Sequence, residues 1–151
     1  YRKSQPAYEQ YAVLSVSSIY GIDIMEDNIS ECRKRLFEIF DQEYTRLFNK
    51  AVKDECRAAI RYILRRNIIW GDALTLETVG ANPAPIIFSE WSSVNRNMFK
   101  RRDFSFSGLL DHESIRELPL FSDLGTSVFL PTPEKEYPVV HFRQIADVDV
   151  A

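Results

Sequence analysis

Two hydrophobic periods alternate along the first ninety residues. Residues 7–16 read as the end of a helix, interrupted by Ser17 and Ser18. Ile19-Tyr20-Gly21-Ile22-Asp23-Ile24 is a short apolar run of strand length, with one charge near its C-terminal end. Ile29, Cys32, Leu36, Ile39 or Phe40, Tyr44 and Leu47 then recur in steps of three and four, which predicts an amphipathic helix capped by Asp27 or Asn28. Its other face holds Arg33, Lys34, Glu38, Asp41 and Glu43 and reads as solvated. A second helix is predicted over 51–66 from Val52, Cys56, Ala59 or Ile60, Ile63 and Leu64, with Asn67 ending it. Ile68-Ile69-Trp70 reads as a second buried strand, closed by Gly71-Asp72. After the loop Gly80-Ala81-Asn82-Pro83-Ala84-Pro85, Ile86-Ile87-Phe88-Ser89 reads as a third. Strand, helices, strand, loop, strand predicts an α/β layer with a mainly parallel sheet.

Beyond Trp91 the pattern weakens. Met98 to Phe106 mixes apolar and basic residues, and Ser105 or Ser107 is placed to cap a short helix through Leu110 and His112. From Leu118 onward the chain reads as an extended, proline-rich stretch with one strand at Val139–Phe142. Six of the seven prolines fall between residues 80 and 138, and none lies between 7 and 79. A length of 151 residues predicts one domain, with a core over 1–92 and a loop-rich extension over 93–151. With 45% hydrophobic and 27% charged residues, the chain can bury a core without disulfides.

Charge and cysteine usage narrow the function classes. Nineteen basic against 22 acidic residues give net −3, which excludes a strongly basic nucleic-acid binder while leaving room for a local patch. Cys32 and Cys56 form no CxxC pair, and His112 and His141 are isolated, so no metal site is expected. No apolar run reaches membrane-spanning length and no signal-peptide pattern is present; a reducing cytoplasm is the expected compartment. No glycine-rich phosphate loop and no GxSxG elbow appears.

Asp23 and Asp72 each close a predicted buried strand. In open α/β sheets, ligands bind outside the carboxyl ends of the strands. One such acid can accept the hydroxyl protons of a ribose and the next a proton from an exocyclic amine, which suits an adenosine-type ligand. Each aspartate equally suits the cap of the helix or turn that follows. Arg96, Lys100, Arg101 and Arg102, interleaved with Phe99 and near Trp91, form the basic cluster suited to a nucleic-acid backbone; the alternative is a solvated loop.

Ser18-Ile19-Tyr20-Gly21-Ile22-Asp23-Ile24, followed by an amphipathic helix, resembles the second nucleotide-binding motif of S-adenosylmethionine-dependent methyltransferases. Asn67-Ile68-Ile69-Trp70-Gly71-Asp72-Ala73-Leu74 resembles the third. The pair is similar to the adenine-specific DNA methyltransferases of restriction–modification systems. With Phe88-Ser89-Glu90-Trp91, Lys100-Arg101-Arg102-Asp103-Phe104 and the segment Leu118–Gly125, nearly the whole chain resembles bacterial modification subunits of that family. The resemblance implies a Rossmann-like methyltransferase sheet, incomplete at its N-terminal edge. It implies S-adenosylmethionine as cofactor, with Asp23 on the ribose, Ile24 against the adenine ring and Asp72 accepting from the adenine amine beside Ala73. It also implies methyl transfer to adenine in DNA and a partner restriction–modification subunit. Separately, a partial sheet with an exposed edge would tend to pair with a second copy, a homodimer that no specific residue supports.

Two departures from the family pattern shape the expectation. The glycine-rich first motif is absent and the chain opens on Tyr1, which points to a piece of a longer protein. The catalytic Asn/Asp/Ser-Pro-Pro-aromatic tetrapeptide is also absent. Asn82-Pro83-Ala84-Pro85 precedes the third strand, and Ser89 and Trp91 are the weak catalytic candidates after it. The alternative function is therefore a catalytically inactive, methyltransferase-like binding or assembly module.

Overall fold

The computed structural model of the chain describes residues 4–95, 97–116 and 131–150. α1 (Gln5–Ser17) opens with Pro6 in its first turn, where the missing N–H has no helical partner to lose. β1 (Gly21–Asp23) follows. α2 (Glu26–Phe48) has Glu26 and Asp27 in its first turn and Arg46 in its last, the charge order the helix dipole favours. A 3-10 turn (Asn49–Ala51) reverses the chain into α3 (Asp54–Asn67), which repeats that order with Asp54 and Glu55 at its start and Arg65 and Arg66 at its end. β2 (Ile68–Asp72) continues directly from α3. β3 (Glu77–Thr78), β4 (Ile87–Asn95) and β5 (Met98–Ser105) come next, then α4 (Phe106–Arg116). The Ser105 hydroxyl accepts from Gly108 N at 3.2 Å, so Ser105 is the cap of α4. β6 (Lys135–Glu136), β7 (Val140–His141) and a 3-10 segment (Phe142–Val150) complete the described chain.

The expected mainly parallel, Rossmann-like sheet is not what forms. β1 and β2 do pair in parallel, Gly21 with Ile68 and Asp23 with Trp70. β3 then pairs antiparallel to β2, Gly71 opposite Thr78. A second, four-stranded sheet has the order β4-β5-β6, with β7 also on β5, and every pairing in it is antiparallel. The residues read as a third parallel strand are instead the first arm of a long hairpin.

Two local causes explain the difference. A parallel addition needs a crossover of a dozen or more residues, usually helical. Here the chain turns at once after Asp72, with Leu76 N donating to Asp72 O at 2.8 Å, and pairs back as β3. β3 thereby occupies the edge of β2 on which another parallel strand would have joined. β4 finds its partner in β5 across a tight reversal, with Asn95 opposite Met98. Of the expected loop-rich extension after residue 92, the described residues include β5, α4, β6, β7 and the 3-10 segment, while 117–130 lie outside the described residues. Phe99, Phe142 and Ile145 belong to the same buried cluster as Val13 of α1 and Ile60 of α3.

α3 is the centre of that cluster. Cys56, Ala59, Ile60 and Ile63 are fully buried on it. Ile29, Phe40 and Tyr44 of α2 meet it on one side, and Trp91, Phe142 and Ile145 on others. The Tyr44 ring stacks on Phe40 and Tyr8 and meets Phe48 edge-on. Among the described residues no helix is long and apolar enough to cross a membrane.

Candidate functional site

β1 and β2 end side by side, and each ends on an aspartate. Asp23 is opposite Trp70 in the parallel register, and Asp72 lies two residues further along β2. Period-two alternation then puts Asp23, Trp70 and Asp72 on one face of the sheet. With strands about 4.8 Å apart and a rise of about 3.3 Å per residue, the two aspartate Cα atoms are about 8 Å apart. This is the carboxyl edge of the parallel strand pair, where α/β folds bind ligands.

Each carboxylate is oriented by its own loop. Asp23 Oδ1 accepts from Met25 N at 2.7 Å and Oδ2 from the Asn28 side-chain amide at 3.0 Å. Asp72 Oδ1 accepts from Leu74 N at 2.8 Å. These turn contacts hold the side chains while leaving acceptor capacity, since a carboxylate offers about four lone-pair positions. The Trp70 indole N–H donates to Ile24 O at 2.9 Å and pins the end of β1. Leu76 takes φ 62 in the turn after Asp72, a left-handed conformation that costs a non-glycine residue about 1–2 kcal/mol. Bonds from Leu76 N to Asp72 O and from Ile86 N to Leu76 O hold it there.

Exposed apolar groups flank the two acids. Ile24 is 57% exposed and Leu74 94% exposed, with Met25 also exposed beside them. Ala73 is exposed next to Asp72. The edge thus offers paired acceptors bordered by aliphatic surface. No family model matches the chain, and no curated protein or solved structure matches it. The chemistry of the edge therefore rests on these residues alone.

Ser89 and Trp91 are elsewhere. Both point from β4 into the packed interior against α3, and Ser89 is fully buried. The Ser89 hydroxyl donates to Asp103 Oδ1 at 2.7 Å. Asp103 also accepts from Arg101 through two nitrogens at 2.8 and 2.7 Å, from Arg66 Nη2 at 3.0 Å and from the Tyr137 hydroxyl at 3.0 Å. Arg101 donates further to the Tyr62 hydroxyl at 2.6 Å and to Asp149 at 3.2 Å, and Tyr62 donates to Asp149. Burial alone would raise the Asp103 pKa, but the Arg101 and Ser89 hydrogen bonds and the two guanidinium charges outweigh it and hold the carboxyl below its ordinary range. Burial and the Asp149 contact push the Tyr62 phenol up to about 12. The result is a closed structural network. Tyr20 links it to the parallel pair, its hydroxyl donating to Ser89 O at 3.0 Å.

The predicted basic cluster is largely neutralised. Lys100 pairs with Glu136 at 2.5 Å, Arg102 with Glu90 at 2.9 Å, and Arg101 is the buried partner of Asp103. Arg96 lies outside the described residues. The sequence pattern did not single out Arg66, Tyr62, Tyr137 or Asp149. The available signal was the strict alternation Phe99, Arg101, Asp103 in β5, masked because two of its three inward residues are charged.

Proposed function

We propose that the chain binds S-adenosylmethionine through its adenosine half at the Asp23–Asp72 edge, as part of a DNA modification subunit of methyltransferase type. The observation that carries this is the placement of two oriented carboxylates on one face, at adjacent parallel strand ends. Asp23 accepts from the ribose hydroxyls, Ile24 packs on the adenine, and Asp72 accepts from the amine with Ala73 alongside. Methyl transfer to the exocyclic amine of adenine is the reaction class for which such a donor site serves.

A second reading keeps donor binding and drops the chemistry. It is favoured by the burial of Ser89 and Trp91, which puts neither side chain within reach of a base at that edge. On this reading the chain is a binding or assembly module for a partner subunit.

Calorimetric titration of S-adenosylmethionine into the intact chain and into Asp23→Asn tests the site. The substitution keeps an oxygen for Met25 N but removes the charge. A hydrogen bond to a charged group contributes about 1.5–3 kcal/mol, so affinity should fall by roughly 10- to 150-fold. Unchanged affinity in the variant, or no binding to the parent chain, refutes the assignment. Incorporation of labelled methyl groups into DNA then separates the two readings.

A further inference from the structure

Among the described residues about half of the surface cations are paired, and Lys50, Lys53 and Lys135 are unpaired but scattered. Arg35 meets Glu31, Arg46 meets Glu43 and Arg57 meets Asp41, as Lys100 and Arg102 meet their own carboxylates. Lys34, Arg61 and Arg65 are exposed and enter no ion pair among the described residues. They line one groove of about 620 Å³ between α2 and α3, together with Arg33, Phe37 and Glu38. Four cations therefore face one carboxylate, in a chain whose net charge is −3.

The groove is built rather than incidental. Arg33 uses its guanidinium on backbone carbonyls, donating to Ile68 O from Nε at 2.9 Å and from Nη2 at 2.5 Å, so no carboxylate offsets its charge. Its Nη2 also reaches Arg65 O at 3.3 Å. Burial, and then the charge of Arg65, lower the Arg33 pKa. Arg61 lies over the Phe37 ring, 3.9 Å from its centroid, which holds its fork in place. Arg65, in the last turn of α3, also answers the helix dipole, but Lys34 and Arg61 are mid-helix and have no such role.

We propose that the α2–α3 groove binds the phosphate backbone of duplex DNA. The charges are spread along two helices rather than converging on one point, as a chain of phosphates requires. Arg61 and Arg65 are one helical step of four apart, about 6 Å along the axis, so their two guanidinium groups can engage separate phosphates of one strand. Guanidinium forks match phosphate oxygens in pairs. Such contacts set affinity and orientation without reading sequence. The choice of DNA as the polyanion rests on the DNA-modification reading, while the groove itself shares no residue with the donor edge.

Fluorescence anisotropy of a short labelled duplex, titrated with the intact chain at several chloride concentrations, tests this. Three phosphate contacts predict a log–log salt slope of about −2.7, or about 40-fold weaker binding at 200 than at 50 mM. Lys34→Ala/Arg61→Ala/Arg65→Ala should lose that slope and bind at least about tenfold more weakly at low salt. The single variant Lys34→Glu, at an exposed position, repeats the test if the triple variant melts early. Parent-like binding by these variants overturns the proposal. So does an equal loss in Lys100→Ala/Arg102→Ala or preference for single-stranded competitor. Asp23→Asn should leave the anisotropy titration unchanged, so failure of the donor site and failure of the groove are read independently.

Discussion

Replacing Asp103 by Asn removes the charge at the hub of the buried network and leaves its cations in place. The Arg101 and Asp103 side chains are 3% and 6% exposed, so water cannot take over. Asp103 accepts five hydrogen bonds, from Arg66, Ser89, Tyr137 and twice from Arg101. Removing one partner of a buried ion pair costs about 3–5 kcal/mol, because the other charge is left uncompensated. Small domains have about 5–15 kcal/mol in all. At about 2–4 °C per kcal/mol for a chain of this size, Tm should fall by roughly 6–20 °C. Urea and thermal melts followed by circular dichroism measure it. The sign with pH follows from the depressed Asp103 pKa: the stabilisation is complete above about pH 4 and is lost as pH falls through the folded-state value. The gap between parent and variant should therefore close below about pH 4. Asp103→Leu with Arg101→Met should recover part of the loss, since apolar replacement of both partners is often neutral. A loss under about 1 kcal/mol for Asp103→Asn, or a gap that widens in acid, refutes the reasoning.

Three further outcomes follow from other contacts. A Cβ at Gly71 would sit 2.7 Å from Ile86 Cδ1 and 3.2 Å from Glu77 O, so Gly71→Ala should cost about 1–3 kcal/mol in a urea melt; a neutral result would mean the β2–β3 turn yields freely. Cys56 is buried, and that burial, with Glu9 nearby, pushes its thiol up to about 12, while Cys32 is exposed. A disulfide reagent at mild alkaline pH should modify one thiol per native chain, at Cys32, and modification of both would contradict the packing. Glu9 is fully buried and accepts from Arg143 Nε at 2.9 Å, so Glu9→Gln should destabilise by about 1–3 kcal/mol and raise hydrogen exchange at Phe142 and Ile145; unaltered protection there would show that the contact is idle.

Helix α3 was legible because its periodicity is undisturbed, whereas the stripe read for α2 is met only in part: Ile29, Phe40 and Tyr44 are buried but Cys32 and Leu47 are exposed. Cys56, Ile60, Ile63 and Leu64 face the core as their spacing requires, and the strand readings at 19–24 and 68–70 contain or meet β1 and β2. Ser105 was legible as a cap because its hydroxyl acts locally. The hairpin was not legible, for two reasons. Ile86-Ile87-Phe88 is apolar on both faces because both are covered, and such a run looks the same in a parallel strand or a packed hairpin. β5 turns Arg101 and Asp103 inward, so the strand most central to its sheet reads as solvated chain. At the candidate site, the strand-end aspartates were visible from sequence. Their shared face was not, because it depends on the register between β1 and β2, set by residues 45 positions or more apart. The unpaired state of Lys34 and Arg61 was hidden for a related reason: pairing is decided by three-dimensional neighbours, not by local charge runs.

The 3-10 segment at Phe142–Val150 has a bearing on how this chain assembles. Phe142 and Ile145 fill the seat beside α3, and Arg143 reaches across 134 residues to Glu9 in α1. Contacts of such sequence separation slow folding, because the loop must close before any of its energy is gained. During synthesis the first helix and α3 can meet early, but Glu9 then has only the neutral donors Gln5 and Tyr44, and no cation, in a half-made interior. The core becomes saturated when Arg143 arrives. Assembly of this protein is therefore timed by residues near the opposite end of the described chain, and a ribosome that pauses before Phe142 would display an unfinished apolar face with an acid at its centre.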